Sequence, residues 1–282
     1  MRVAFALLCL LLSMKVRAQD QIIVPFKLVD GWAIVVEGEL AGEPNRTMLF
    51  DTGAVPSAIN LRVAKRLELS GPVLKFSTMN RTLATRKVQV PGVRVGPIAV
   101  ESLDMVVMDL SKVENALGRQ IDAVIGLDLL ARRNFYLDYQ NEQIVFRDSE
   151  DTSAAIPFKT RYEGGGTYIV VALSINGRNC EMLFDTGTRD VMIFEPRLGG
   201  ILLPMKTDVP NLNLGGEDRV KETTLQSVNI GSIHRQKQKA YVWRTSEDSL
   251  RDFDGLLGPI SLGVTHVAFD FEHHLLFLSG PK

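Results

Sequence analysis

Short apolar runs alternate with polar residues along most of this chain and end at glycine, proline, asparagine or aspartate. In the first half, an alternating pattern typical of β-strands and hairpins covers Ala33–Val36, Val88–Val95, Met105–Met108 and Gln143–Phe146. Helical spacing of apolar residues is confined to two short stretches, Leu61–Leu67 and Leu127–Arg133. The pattern therefore predicts a mostly β protein.

One hexapeptide, Met-Leu-Phe-Asp-Thr-Gly, occurs twice, at Met48–Gly53 and at Met182–Gly187. Other landmarks recur in the same order at a spacing of about 134 residues. They are Gly42 and Gly177, Val93–Ile98 and Val228–Ile233, Asp122–Gly126 and Asp254–Gly258, and Phe135–Tyr139 and Val267–Phe271. A constant order at a nearly constant spacing indicates an internal duplication.

Acidic and small polar residues follow a finished strand near residue 150, where we place the boundary between the two halves. We expect an N-terminal lobe at residues 19–148, a linker at residues 149–155 and a C-terminal lobe at residues 156–282.

The first 18 residues are typical of a secretory signal peptide. Arg2 gives a basic start, the run Val3–Leu12 is apolar, and Val16-Arg17-Ala18 suits a signal peptidase. The alternative is a short uncleaved anchor, but Lys15 interrupts the apolar run well before the roughly 20 residues that a membrane span needs. We expect an exported protein, periplasmic or secreted, that is not inserted in a membrane after cleavage.

Cleavage would remove Cys9 and leave Cys180 as the single cysteine, so no disulfide within the chain is expected. Cys180 lies in an alternating run and is interpreted as a buried strand residue, not as a nucleophile.

The composition excludes several classes of protein. With 45% hydrophobic and 23% charged residues in 282, the chain is not disordered, collagen-like or a disulfide-stabilised miniprotein. Lys and Arg number 32 against 33 Asp and Glu, a net charge of -1. This balance gives no field that would attract nucleic acid or an anionic membrane.

The repeated Asp-Thr-Gly places Asp51 and Asp185 after buried strands, each before a glycine that permits a tight turn. One interpretation is structural: each carboxylate caps backbone N–H groups of its own loop. If the two halves pack about a two-fold axis, however, the two acids meet and share one proton. Such a pair can hydrolyse an amide with water alone, without a metal, a cofactor or a covalent intermediate.

The segments Leu49–Ala54 and Leu183–Thr188, each followed some 70 residues later by an apolar-apolar-Gly segment, resemble the two active-site halves of aspartic proteases. The lobe size is similar to that of retropepsin-like families. The presence of both halves on one chain is similar to the arrangement in pepsins. The resemblance implies an all-β fold of two pseudo-symmetric retropepsin-like β-barrel lobes with an active-site cleft between them.

The resemblance also implies roles for matched positions. Asp51 and Asp185 would be the catalytic pair, and Thr52 and Thr186 would hydrogen-bond across the lobes. The remaining positions would support the active loops or bind substrate: Gly53, Ala54, Gly187, Thr188, Gly126 and Gly258. Gly53 and Gly187 would let N–H groups approach the carboxylates, and Gly126 and Gly258 would end the flanking strands.

Three local differences between the halves lead to further expectations. Gly215 and Gly216 after Leu212 suit the flap hairpins that cover substrate in this family, whereas Thr78–Thr85 has no glycine and does not predict closure by the first lobe. Pro259 and Gly263 predict a shortened helix after Gly258. Thr188 can donate a hydrogen bond to Asp185, whereas Ala54 offers no such donor to Asp51, so we expect Asp185 to be ionised and Asp51 to hold the shared proton.

The sequence thus predicts an aspartic endopeptidase, a monomer acting on peptide or protein substrates, with no metal, cofactor or nucleic acid. The alternative is a protein of the same fold that binds a peptide or partner without cleaving it.

Overall fold

The computed structural model describes residues 21–78, 81–147, 155–163, 166–197, 204–206, 208–244 and 253–280. The predicted signal peptide and residues 149–154 of the predicted linker lie outside this range, so the domain boundaries stay predictions. No helix in the described part of the chain has the length and apolar character needed to cross a membrane.

The described residues of the first half form ten strands and three short helices. The strands are β1 (Ile22–Val29), β2 (Ala33–Leu40), β3 (Glu43–Phe50), β4 (Ala58–Asn60), β5 (Val73–Ser77), β6 (Thr82–Val95), β7 (Ile98–Met108), β8 (Ala123–Ile125), β9 (Phe135–Asp138) and β10 (Gln143–Phe146). The helices are α1 (Leu61–Arg66), α2 (Ser111–Leu117) and α3 (Leu127–Leu130). The four predicted alternating stretches and the helix at Leu61 are confirmed, and α3 is shorter than predicted.

The second half repeats this order in its described residues. Its strands are β11 (Ile156–Glu163), β12 (Gly166–Ile175), β13 (Arg178–Phe184), β14 (Val191–Phe194), β15 (Asp208–Asn213), β16 (Gly216–Ile230), β17 (Ile233–Trp243), β18 (Gly255–Leu257), β19 (His266–Asp270) and β20 (Leu275–Ser279). Single 3-10 turns lie at Glu195–Arg197 and Pro259–Leu262. The second turn begins with proline and ends at Gly263 in the left-handed conformation, which is the predicted shortening.

Each half closes six of its strands into a ring. In the first half the pairings run β2–β3–β8–β4–β7–β6 and return to β2, and in the second half they run β12–β13–β18–β14–β17–β16 and return to β12. The hairpins β2–β3 and β12–β13 turn at Ala41-Gly42 and Asn176-Gly177, where all four residues have positive φ. The duplication seen in the sequence is therefore a duplication of strand topology, and the fold is all-β.

A third sheet joins the halves. It contains β1, β10 and β9 of the first half and β19, β20 and β11 of the second, with β9 and β19 paired at its centre. Phe135 and Phe269 face each other across that central pair with ring centroids 4.7 Å apart. Phe50 packs on Phe135 at 5.0 Å and Phe184 on Phe269 at 5.7 Å. These four buried rings form a continuous apolar base between the lobes, directly below the residues that follow Phe50 and Phe184.

Cys180 lies on β13 and is 5% exposed, so its interpretation as a buried strand residue is confirmed. Burial raises the pKa of its thiol, which makes the reactive thiolate less accessible.

Candidate active site

Parallel strand pairs place the two Asp-Thr-Gly loops. β3 runs parallel to β8 and β13 runs parallel to β18, so that Phe50 lies beside Ile125 and Phe184 beside Leu257. The next backbone N–H groups, of Asp51 and Asp185, then donate to the carbonyl oxygens of Ile125 and Leu257 at 3.0 and 3.1 Å. Both aspartates therefore leave the sheet at equivalent points of the two lobes.

Glycine is required where β8 and β18 end. A Cβ atom on Gly126 would lie 1.8 Å from the carbonyl oxygen of Ala54, and one on Gly258 would lie 2.2 Å from that of Thr188. Both residues follow the last residue of a flanking strand, as the family resemblance implied. Any side chain there would push the active loop away from its strand.

Thr52 and Thr186 connect the loops through four hydrogen bonds. Each backbone N–H donates to the hydroxyl of the opposite threonine at 3.0 Å. The hydroxyl of Thr52 donates to the Phe184 carbonyl at 3.1 Å, and that of Thr186 donates to the Phe50 carbonyl at 3.3 Å. Both side chains are at most 2% exposed, so these bonds form out of water. The expected contact between the lobes is present.

The glycines after the threonines bring each loop against the opposite carboxylate. Gly53 donates its N–H to Asp51 Oδ1 at 2.8 Å, and Gly187 donates to Asp185 Oδ1 at 2.7 Å. A Cβ atom on Gly53 would lie 2.3 Å from Cγ of Asp185, and one on Gly187 would lie 2.3 Å from Cγ of Asp51. The two aspartates therefore converge, and their side chains share a hydrogen bond.

The two carboxyl groups differ in their environment. Burial and the nearby charge of Asp185 raise the pKa of Asp51 well above its ordinary value. Burial also raises the pKa of Asp185, which is 7% exposed, but donors stabilise its charged form: the Asp51 carboxyl, the Thr188 hydroxyl at 2.9 Å and the Gly187 N–H. Ala54 supplies only a backbone N–H to the Asp51 side. The Thr188 hydroxyl beside Asp185 thus has no side-chain equivalent at Ala54, and the location of the shared proton on Asp51 stays a prediction.

A group of hydrogen bonds around Ser57 supports the first Asp-Thr-Gly loop, and these bonds were not apparent from the sequence. The Ser57 hydroxyl accepts a hydrogen bond from the Gly126 N–H at 2.9 Å and donates to Asp128 Oδ1 at 2.5 Å. The Ser57 N–H also donates to Asp128 Oδ2 at 2.8 Å. Because these residues are some 70 positions apart, only the fold brings them together.

Two hairpins project over the aspartates, β5–β6 from the first half and β15–β16 from the second. The first forms without glycine in its turn, where the Thr78 N–H donates to the Arg81 carbonyl at 2.9 Å. The lack of glycine therefore did not prevent a covering hairpin in the first lobe. Arg81, at the tip of the first hairpin, donates to the Glu217 carbonyl of the second at 3.5 Å, and Lys112 of α2 pairs with the Glu217 carboxylate at 3.4 Å.

Two cavities extend from the aspartates beneath these hairpins. The first, of about 400 Å³, is lined by Pro56, Phe76, Tyr168, Trp243 and Phe253 among others. The second, of about 410 Å³, is lined by Asp30, Trp32, Leu117, Asp190, Val209 and Tyr241 among others. Both share Asp51, Gly187, Thr188 and residues 211–214 of the second hairpin. Asp51 therefore lies where the two cavities meet, and Asp185 lies in the wall of the first.

Asn213, in that shared segment, has a side-chain nitrogen buried without a hydrogen-bond partner among the described residues. Its side-chain oxygen accepts from the Gly215 N–H at 2.7 Å, which fixes the direction of the amide. No feature of the sequence singles out this residue. No cluster of three or more His, Cys, Asp or Glu side chains in the described ranges is arranged to hold a metal ion.

A family model and a solved structure match this chain. A model of the family described as aspartyl protease matches residues 36–129 and again residues 171–259, one match in each half. Among solved structures, the chain is similar to the crystal structure of basic 7S globulin from soybean, with 13% identity, 94% of this chain and 96% of that chain covered, and a TM-score of 0.49. No curated protein matches the chain. Because the family model covers more than half of the residues, once in each lobe, the chain belongs to the aspartyl protease family.

Proposed function

We propose that this protein is an aspartic endopeptidase that hydrolyses peptide bonds with a water molecule activated by Asp51 and Asp185. The observation that carries the proposal is the convergence of the two carboxyl groups, one from each lobe, in the cleft. A fold that used each acid only to cap its own loop would not need the two side chains to share a hydrogen bond.

The chemistry follows from the unequal pair. Ionised Asp185 takes a proton from a water molecule placed between the carboxyl groups, and the resulting hydroxide attacks the peptide carbonyl carbon. Protonated Asp51 donates its proton to the carbonyl oxygen, so that a neutral tetrahedral diol forms. Breakdown of the diol, with proton transfer to the leaving nitrogen, yields two peptides and returns one proton to the pair.

The surroundings support a peptide as the substrate. A cleft that extends on both sides of the reacting groups suits an extended chain, whose backbone N–H and C=O groups need partners along its length. Asn213 Nδ2 is a buried donor without a partner in the described structure, and it lies above both cavities. We assign it to a carbonyl oxygen of the bound peptide. We further propose that the protein acts as an exported monomer, since one chain supplies both acids.

The test is cleavage of a peptide library between pH 3 and 8 by the protein and by the variants Asp51→Asn and Asp185→Asn. Each variant should lose at least 1,000-fold in kcat/KM, because it removes either the acid or the base. Asp104→Asn, a matched change on the exposed face of β7, should retain full activity. A statine-type inhibitor, whose hydroxyl replaces the water, should block cleavage.

Absence of cleavage throughout this range would overturn the proposal. Cleavage that persists in both Asn variants would also overturn it, because another group would then be responsible. Tight binding of library peptides without cleavage would favour the alternative, a binding protein on the same fold.

A further inference from the structure

The pseudo-two-fold axis relates the two cavities, but their walls are chemically different. The segment after the first Asp-Thr-Gly continues as Ala54-Val55-Pro56, and its equivalent after the second continues as Thr188-Arg189-Asp190. Val55 and Pro56 line the first cavity, whereas Arg189 and Asp190 line the second. The duplicated loops have therefore diverged at the residues that face the substrate on either side of the aspartates.

The first cavity is apolar. The two catalytic candidates are the only carboxyl groups among its described lining residues, which include no Lys, Arg or His, and the wall contains the large apolar rings of Phe76, Trp243 and Phe253. A charged side chain placed there would lose its hydration without gaining a partner. This side of the cleft suits a large apolar side chain.

The second cavity has a carboxylate on each wall. Asp30 comes from the first lobe and is exposed, and Asp190 comes from the second lobe and is partly buried. Burial raises the pKa of Asp190, as expected for a carboxylate that has lost hydration. No hydrogen bond or ion pair to its side chain is found within the described residues. The Asp190 side chain is thus an acceptor available in the cleft.

Nearby cations act on this carboxylate through their charge but form no ion pair with it in the described structure. The charges of Arg189 and Lys239 oppose the rise in the pKa of Asp190 that burial causes. Lys239 itself pairs with Glu222 at 3.2 Å and lies over the Tyr241 ring at 5.1 Å from its centroid. Arg189 is adjacent in sequence and exposed, and it forms no ion pair with Asp190. With Asp30 and Asp190 against Arg189, the wall of the second cavity has an excess of negative charge before the catalytic pair is counted.

We propose that Asp190 selects a basic side chain, Lys or Arg, in the second cavity, while the first cavity takes a large apolar residue on the other side of the scissile bond. This inference rests on the proposed endopeptidase function and defines its substrate class. A cationic side chain would supply the partner that Asp190 lacks, and its methylene stem would pack on Tyr241 and Val209. Because the two sides differ, a peptide with one basic and one apolar residue beside the scissile bond fits this arrangement in one direction only.

The expected size of the preference follows from the strength of a charge-assisted hydrogen bond. A bond of this kind in a partly buried site favours Lys over the neutral Met, of similar length, by about tenfold or more in kcat/KM. A uniformly charged cleft would instead favour basic residues on both sides. The position of the basic residue relative to the cut is therefore as informative as the preference itself.

The experiment compares matched peptides that differ at one position, with Lys, Met or Glu placed in turn on either side of the scissile bond. The wild-type protein should prefer Lys on one side and an apolar residue on the other. Asp190→Asn, which keeps the shape of the side chain, should reduce the Lys-to-Met ratio to near one while cleavage of the Met peptide continues. Asp190→Lys should shift the preference to Glu, and Asp104→Asn should change none of these ratios.

Binding of the same peptides to Asp51→Asn, measured by calorimetry, separates this inference from the proposed function. If peptides are cleaved without a preference for Lys, or if Asp190→Asn leaves the preference intact, the inference is wrong and the protease function stands. If no peptide is cleaved but the Lys peptide binds at least tenfold more tightly than the Met peptide, and Asp190→Asn in the same background removes the difference, the function is wrong and the assignment of Asp190 stands.

Discussion

The hydrogen bond from Thr188 to Asp185 should set the acidic limit of activity. Thr188→Ala removes the hydroxyl that donates to Asp185 Oδ2 at 2.9 Å and leaves the other donors to this carboxylate in place. In the proposed mechanism the active pair carries one proton and one negative charge, so the acidic limb of the kcat/KM profile would report the first ionisation of the pair in the free enzyme.

The magnitude follows from the cost of losing a donor to a charged acceptor, about 1.5 to 3 kcal/mol. One pKa unit corresponds to about 1.36 kcal/mol. The Gly187 N–H at 2.7 Å and the Asp51 carboxyl remain as donors and compensate in part, so the expected shift is about one unit. The sign is fixed: a less stable carboxylate has a higher pKa, and the acidic limb moves to higher pH.

Two further variants make the test specific. Thr188→Ser keeps the hydroxyl and should leave the acidic limb in place. Ala54→Thr adds the equivalent donor beside Asp51, which stabilises the form with the proton on Asp185 and should move the limb to lower pH. The assay is kcat/KM against pH from 3 to 8 with one peptide substrate. An unmoved acidic limb in Thr188→Ala would refute the assignment of the proton to Asp51.

Three further variants test the hydrogen bonds, the close contacts and the pKa shift around the two active loops. Thr52→Val leaves the Thr186 N–H and the Phe184 carbonyl without partners and should lower the free energy of unfolding in urea by about 3 kcal/mol, whereas Thr167→Val on the exposed face of β12 should have little effect. Gly187→Ala displaces the Asp51 carboxylate and should reduce kcat at least about 100-fold with KM little changed; activity within tenfold of wild type would contradict the described loop geometry. Since the pKa of Asp51 is raised on folding, the folded protein binds more protons than the unfolded chain above the unfolded value of about 3.9. The contribution of Asp51 to stability is therefore lost as pH rises from the unfolded pKa to the folded pKa. Over this pH range Asp51→Asn should become more stable relative to wild type. A difference in the free energy of unfolding between variant and wild type that stays constant with pH would refute the pKa shift.

The sequence predicted those features that the chain repeats. The two Asp-Thr-Gly segments and the glycines at residues 126 and 258 are visible because each appears twice at the same spacing, and the structure places them together. The alternating runs predicted their strands because a strand with one buried face has a period of two.

Features without a repeated or local sequence signal were harder to predict. The first covering hairpin was missed because its turn contains no glycine, although its strands alternate in exposure. Helix α2 was also missed, since it has only seven residues and only Leu117 among them is buried. The hydrogen bonds of Ser57 and the position of Asp190 in the cleft depend on segments that are distant in sequence. A local sequence pattern does not predict such contacts.

The sheet shared by the lobes determines how the cleft can open. Three strands from each half meet at the β9–β19 pair. The hydrogen bonds between Thr52 and Thr186 and the packed phenylalanine rings above that pair hold the base of the cleft together. A hinge at this position would break all of these contacts together. At the tips of the covering hairpins, by contrast, the contact from Arg81 to the Glu217 carbonyl is exposed. Entry and release of a peptide should therefore occur by bending of the two covering hairpins over a rigid base. In a hydrogen-exchange experiment, backbone amides should exchange quickly at the hairpin tips and slowly in the sheet shared by the lobes.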